Sequence, residues 1–201
     1  MAEFTIISDT SKTILRMLKD KLCENNEPIE SDAGIMLVAP NDTNADYQLG
    51  LHLYDIKEVG EYRRSTPLLD GNIRTQPPKL LELHYMLFSN PRSQTRIDAE
   101  KEQSIFGRAL QVLYDAGIIS LAESNIFFTP GEESVSVSVL NQSFEDKVKI
   151  WSAFQSPYRL CICFVVSPVT LSSRRSTTVT RVTEVTFETK QNPPTLPIDK
   201  E

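Results

Sequence analysis

Glycine is scarce, with seven in 201 residues. None falls into Gly-x-Gly-x-x-Gly, a P-loop or Gly-x-Ser-x-Gly. Phosphate cradles and nucleophile elbows need glycine where the backbone turns sharply, so neither chemistry is expected. Histidine is scarcer still: His52 and His84 are the only two. Neither stands in a His-x-x-x-His or Cys-x-x-Cys setting, so no zinc-type ligand spacing accompanies them. Cysteine occurs three times, an odd count that argues against a disulfide framework. Cys161 and Cys163 sit in an apolar run and are read here as projecting to opposite faces of a strand. That makes them packing residues, unable to pair easily with each other. Positive charge does not dominate either. The net charge is -6 and the pI about 5.1, which disfavours nucleic acid as the main partner. No apolar run approaches the roughly 20 residues that span a bilayer. The start, MAEFTIISDTSK, lacks a basic segment followed by an apolar one, so no secretory signal is expected.

What is present is enough for a folded core. Apolar residues make up 40% and charged residues 24%, a soluble globular balance. Ile7, Ile14, Leu18 and Leu22 recur at helical spacing and predict a helix over 5–24, capped at Ser8, Asp9 or Ser11. GIMLVA at 34–39 predicts a short strand. In 47–59, Leu49, Leu51 and Leu53 alternate with His52 and Tyr54, which predicts a strand with a buried face. Residues 60–79 mix proline, glycine and charge, and regular structure is not expected there. LLELHYMLF at 80–88 is apolar on both faces and predicts a central strand. A helix is predicted over 96–116, with Ile105, Phe106, Ala109, Leu110 and Leu113 as its apolar stripe and Gly117 as its stop. Residues 134–140 alternate as a strand. Ser143 with Asp146 resembles a capping box ahead of a short helix, FEDKVKIWSAF. Strands at 158–169 and 176–189 follow, then a proline-rich tail, 190–201, expected to be disordered. The layout predicts an α/β fold of the α+β kind: one domain with a mixed, mainly antiparallel sheet and flanking helices. Residues 1–189 form that domain, and 176–189 are read as an extended arm.

The residues offer little for catalysis. The run DAEKE at 98–102 reads as a solvated helix face. Apolar surroundings raise a thiol pKa, which argues against a nucleophile at Cys161 or Cys163. One alternative is a small enzyme or ligand-binding domain in which His52 and His84 meet beside Asp55 or Glu82. No catalytic, cofactor-binding or metal residue is assigned. The arginines are the stronger candidates. Arg63 and Arg64, and Arg174 and Arg175, flank predicted strands and suit either solvated surface or bidentate anchoring to carboxylates. Trp151, the only tryptophan, is read as core. Tyr158 and Arg159 fit either a core corner or an interface hot spot. The candidate interface residues are therefore Arg63, Arg64, Tyr158, Arg159, Arg174 and Arg175.

Five segments, in order, carry a resemblance: ISDTSKTILRMLKDKL, LGLHLYDIKEVGEYRR, PPKLLELHYMLF, AEKEQSIFGRALQVLYD and FEDKVKIWSAFQSPYRLCICFVVSPVTLSS. Together they resemble the N-terminal domain of cap, or tail-terminator, proteins of extracellular contractile injection systems. These are the phage-tail-like particles related to Photorhabdus virulence cassettes and the antifeeding prophage. The resemblance spans roughly residues 5–190. It implies a non-enzymatic, cofactor-free structural role: a hexameric ring at the baseplate-distal end that terminates the inner tube and attaches to the sheath. The implied partners are further copies of the chain, the inner tube protein, the sheath protein and a second cap protein. The implied location is a particle assembled in the bacterial cytoplasm and open to release. A baseplate or sheath-initiating component of the same particle is the alternative within this class. The loop 60–79 and the arm 176–189 are the expected contact elements.

Overall fold

The computed structural model of the chain describes residues 4–24, 28–42, 44–59, 68–70, 72–93, 97–120 and 134–178. A six-stranded sheet forms the centre. Its strands are β1 (Ile35–Leu37), β2 (Leu49–Glu58), β5 (Lys79–Ser89), β6 (Ile118–Ser120), β7 (Ser134–Val139) and β8 (Cys161–Leu171), in the order β1-β2-β5-β8-β7-β6. Only β1 pairs parallel; every other neighbour is antiparallel. The two long apolar runs, β5 and β8, lie side by side in the middle. Strands apolar on both faces belong where both faces are covered.

Helices α1 (Ile6–Leu22) and α2 (Ala99–Ala116) cover one face and pack on each other. Ile14, Leu18 and Leu22 meet Leu83, Leu87 and Phe164 in one continuous cluster. Ile6, not Ile7, is the fully buried isoleucine at the start of α1. The expected caps Ser8, Asp9 and Ser11 all lie inside α1, whose N-cap is Thr5 without a side-chain hydrogen bond. Thr10, Ser11 and Thr13 instead donate to carbonyls four residues back, at 2.7, 3.0 and 2.9 Å. That satisfies hydroxyls which would otherwise be costly to bury. Ser11 also meets the Tyr85 hydroxyl at 2.8 Å, tying α1 to β5.

In α2, Asp98 caps the first turn by accepting from the Lys101 amide, and Gly117 ends the helix at φ 42°. Leu110 is not part of the buried stripe: Val112 is buried and Leu110 is exposed. The stripe 105, 106, 109, 112, 113 keeps the 3.6-residue period, which Leu110 breaks on one flank.

The opposite face carries α3 (Phe144–Ala153) and a second cluster of Tyr47, Met86, Phe88, Trp151, Cys161 and Cys163. Both cysteines therefore lie on the same face, against the sequence expectation. A strand repeats every two residues, so positions 161 and 163 point the same way, while Ile162 and Phe164 face α1 and α2.

Segment 60–79 is not wholly irregular. β3 (Leu68–Asp70) and β4 (Ile73–Thr75) form a hairpin, and β4 pairs with β9 (Ser176–Thr178) in a separate three-stranded sheet. The signal was Asp-Gly-Asn at 70–72, a two-residue hairpin connection hidden among prolines and charges. Strand β8 begins at Cys161, three residues later than expected, which leaves Tyr158–Leu160 outside the ladder.

Candidate functional site: an aromatic and arginine surface at the α3–β8 corner

Local sequence builds this corner in three steps. Ser143 opens α3: its Oγ accepts from the Asp146 amide at 3.2 Å and donates to the Asp146 carboxylate at 2.7 Å. Those bonds, with Lys149 beside it, hold the Asp146 carboxyl below its usual pKa. Helix α3 then closes with Gln155 at φ 52°. The Gln155 amide donates to the Ser152 carbonyl at 3.0 Å and the Ser156 amide to the Trp151 carbonyl at 3.3 Å. This paired pattern is a Schellman closure. It reverses the chain, so 156–160 run back across α3 before β8 begins.

Trp151 is the hub. It is 1% exposed, and its indole N–H donates to Cys161 Sγ at 3.4 Å. Its ring meets Phe88 edge-on at 5.6 Å and Tyr158 at 6.5 Å between centroids. Tyr158 in turn meets Phe144 at 4.9 Å, and both rings show at the surface. Leu160 is exposed beside them in the chain. The Arg159 guanidinium lies 5.6 Å from the centre of the Trp151 ring, within cation–π reach. Arg159 Nε and Nη1 are buried and have no hydrogen-bond partner. The Tyr47 hydroxyl is also buried, beside the guanidinium. Burial raises the Tyr47 pKa, and the nearby Arg159 charge partly counters it.

The two thiols diverge, and Cys161 departs from the raised pKa expected of apolar surroundings. Cys161 is lowered because Cys163 and the Trp151 N–H stabilise its thiolate, against burial. Cys163 is raised, first because it shares its proton with Cys161 and then by burial. Both are shielded beneath the corner. The histidines share this sheet face, since His52 pairs with Met86 and His84 lies two residues away. His52 sits against Phe154, and burial lowers its pKa. His84 is buried beside Tyr54, with Glu82 3.5 Å from its Nε2. Among the described residues no three His, Cys, Asp or Glu side chains gather as a metal site.

The four described members of the expected interface set fall into two groups. Tyr158 and Arg159 precede β8, while Arg174 and Arg175 follow it; its 11 residues put about 33 Å between the two groups at the usual rise per residue. Arg174 stacks over the exposed Phe4 ring at 5.3 Å. Arg175 is exposed just ahead of β9. Arg63 and Arg64 lie outside the described residues. Sequence reasoning missed Phe144 and Tyr47. Phe144 stands seven residues before Trp151, on the same helical face, and that spacing was the available signal. Tyr47 is distant in sequence, and nothing local marks it.

The corner and the two-faced sheet can be set beside known proteins. Residues 9–184 match the profile described as the Pvc16 N-terminal domain. The chain belongs to that family. The fold matches a cryo-EM structure of an extracellular contractile injection system, the PVC sheath/tube terminator in its extended state. The TM-score is 0.63 at 20% identity, over 96% of this chain and 65% of that one. It also matches the cryo-EM structure of the anti-feeding prophage cap, a tube terminating cap. There the TM-score is 0.61 at 18% identity, over 90% of this chain and 60% of that one. The chain thus spans about two thirds or less of the length of these structures. No curated protein matches it. The α+β architecture expected from sequence is the architecture that this Pvc16 N-terminal domain shares with the two terminators.

Proposed function

We propose that the chain is a tail-terminator subunit of a contractile injection system. It assembles as a ring at the baseplate-distal end, ends the inner tube and attaches to the sheath. The observation that carries this reading is the backbone match to two terminators over nearly the whole chain, alongside membership of the Pvc16 N-terminal domain family. The role is structural and not enzymatic; its work is the surface it presents. A terminator offers one face to the last tube ring and denies the other to a further ring, and head-to-tail contacts close such a ring. A hexamer of this chain, the tube and sheath proteins as partners, and a second cap protein all belong to this proposal. So do assembly in the cytoplasm and release with the particle. Among the described residues no helix is long and apolar enough to cross a membrane.

The contact elements belong to the same proposal. The 60–79 loop and the 176–189 arm meet where β4 and β9 pair, so both contribute to one small sheet. That sheet continues past the Lys79–Leu171 pair that ends the β5–β8 ladder. Arg174 and Arg175 precede one of its strands in the chain, and Arg63 and Arg64 precede another. Residues 179–189 of the arm and the tail 190–201 lie outside the described residues. The domain reading of 1–189 with a separate 190–201 tail stands as proposed.

Deleting the gene in a producing strain tests the role by electron microscopy of the particles. The expected result is tubes of unregulated length or sheaths that detach, restored by the wild-type chain. Unchanged lengths and firmly held sheaths would overturn it. Charge reversal at Arg174 and Arg175 then tests the small sheet, with impaired capping expected from a folded monomer.

A further inference from the structure

Four features coincide at the α3–β8 corner. A guanidinium, Arg159, lies against the only tryptophan. Two of its nitrogens are shielded from solvent and lack a partner. No described carboxylate pairs with it. Exposed apolar side chains, Phe144, Tyr158 and Leu160, accompany it. A shielded charge without a counter-charge is costly in an isolated fold. The Tyr47 phenol does not remove that cost. It carries no charge at neutral pH. An arginine half-buried among aromatic rings is also the composition of an interface hot spot.

We infer that this corner is a docking site for a carboxylate side chain of a partner protein, an aspartate or glutamate that enters against Arg159 while flanking apolar groups cover Phe144, Tyr158 and Leu160. The guanidinium fork matches a carboxylate bidentately, and such charge-assisted pairs are strong where water is excluded. The aromatic surface supplies the apolar contact around the pair and the shielding from water. Charge complementarity at the corner itself favours a carboxylate of a protein: Arg159 pairs with no described carboxylate, and the Lys147 charge also reaches this corner, where it acts on Cys161. The inference deepens the proposed function by giving the cap a contact site away from the small sheet. It also stands apart from that function, because its test involves no particle.

The test is a titration with a short blocked peptide, acetyl-Gly-Glu-Gly-amide, followed by Trp151 fluorescence and by the Arg159 Nε–H resonance. The Gln counterpart, sodium chloride and inorganic phosphate serve as comparisons. The expected result is a saturable response to the Glu peptide, with a dissociation constant on the order of millimolar for one anchored side chain. The Gln peptide and chloride should act at least tenfold more weakly. In Arg159→Gln, checked as folded by circular dichroism, the saturable response should disappear; Arg159→Lys, which keeps charge but loses the fork, should weaken it. Equal responses to the Glu and Gln peptides would overturn the inference. So would an unchanged response in Arg159→Gln, a stronger response to phosphate, or no saturation in the wild type.

Discussion

Gly50 and Gly107 make opposite demands on an added methyl group. A Cβ at Gly50 meets the Phe88 ring at 2.5 and 2.8 Å and Tyr47 at 2.9 Å, both buried aromatics of the α3-face cluster. Rigid rings cannot yield cheaply, so Gly50→Ala should cost about 1–3 kcal/mol. At Gly107, on the outer side of α2, nothing lies within 4 Å. There alanine removes only the entropy penalty of a helical glycine, and Gly107→Ala should gain about 0.5–1 kcal/mol. Urea denaturation midpoints of the two variants should move in opposite directions. Tyr85 makes a pH prediction at the same scale. Burial pushes its pKa from 10.0 to about 12, although the Ser11 hydrogen bond pulls it down. In the unfolded chain the phenol ionises near 10, while the folded protein holds the proton until about 12. The stabilisation is therefore complete below pH 10 and is lost as pH rises through 12, on the order of 2–3 kcal/mol. Tyr85→Phe should flatten the fall in melting temperature between pH 10 and 12; an equally steep fall would refute the assignment.

At the scale of the element, the three helices begin and end by different devices, and each device has a measurable weight. Asp98 caps α2 through the Lys101 amide and Ser143 caps α3 through the Asp146 amide. Asp98→Ala and Ser143→Ala should each cost about 1 kcal/mol. Thr5 makes no side-chain cap bond to α1, so Thr5→Ala should change thermal stability little. Gln155 holds the left-handed position that closes α3, where a β-carbon is unfavourable. Gln155→Gly should raise stability by roughly 0.5–1 kcal/mol. The Trp151 emission should stay as in the wild type, because the turn already has the conformation that glycine prefers.

For the whole molecule, the sheet order concentrates stability at its middle. β5 and β8 share their full length and are covered on both faces, whereas β1 and β6 are three-residue edge strands. Amide exchange should be slowest in β5 and β8 and faster at β1, β6 and the small β3-β4-β9 sheet. Comparable protection in the small sheet would show that it folds as part of the main core. Adding partner particles should then protect the surfaces they cover, which gives the proposed cap an independent readout.

Periodicity made several features legible in the sequence. The four-residue spacing of Ile14, Leu18 and Leu22, the alternation of Leu49, Leu51 and Leu53, and the two-faced apolar runs around Tyr85 and Phe164 set the helix and strand types and the central strands. The Ser143 cap and the Gly117 stop were also readable, because caps are local hydrogen-bond and backbone problems. The shared face of Cys161 and Cys163 was determined by the sequence too, since strand period alone places them together. Other features needed tertiary structure. The pairing of β4 with β9 joins residues about a hundred positions apart, and no local pattern encodes such a register. Ile6 displaced Ile7, and Val112 displaced Leu110, because the neighbouring surface selects among residues of equal hydrophobicity. Tyr158 and Arg159 stood open between core and interface. Only the reversed chain after α3 fixes their surroundings, leaving Tyr158 at the surface and bringing the guanidinium between a buried indole and a distant tyrosine. Local chemistry is written along the chain; the environment of a charge is written by whatever folds beside it.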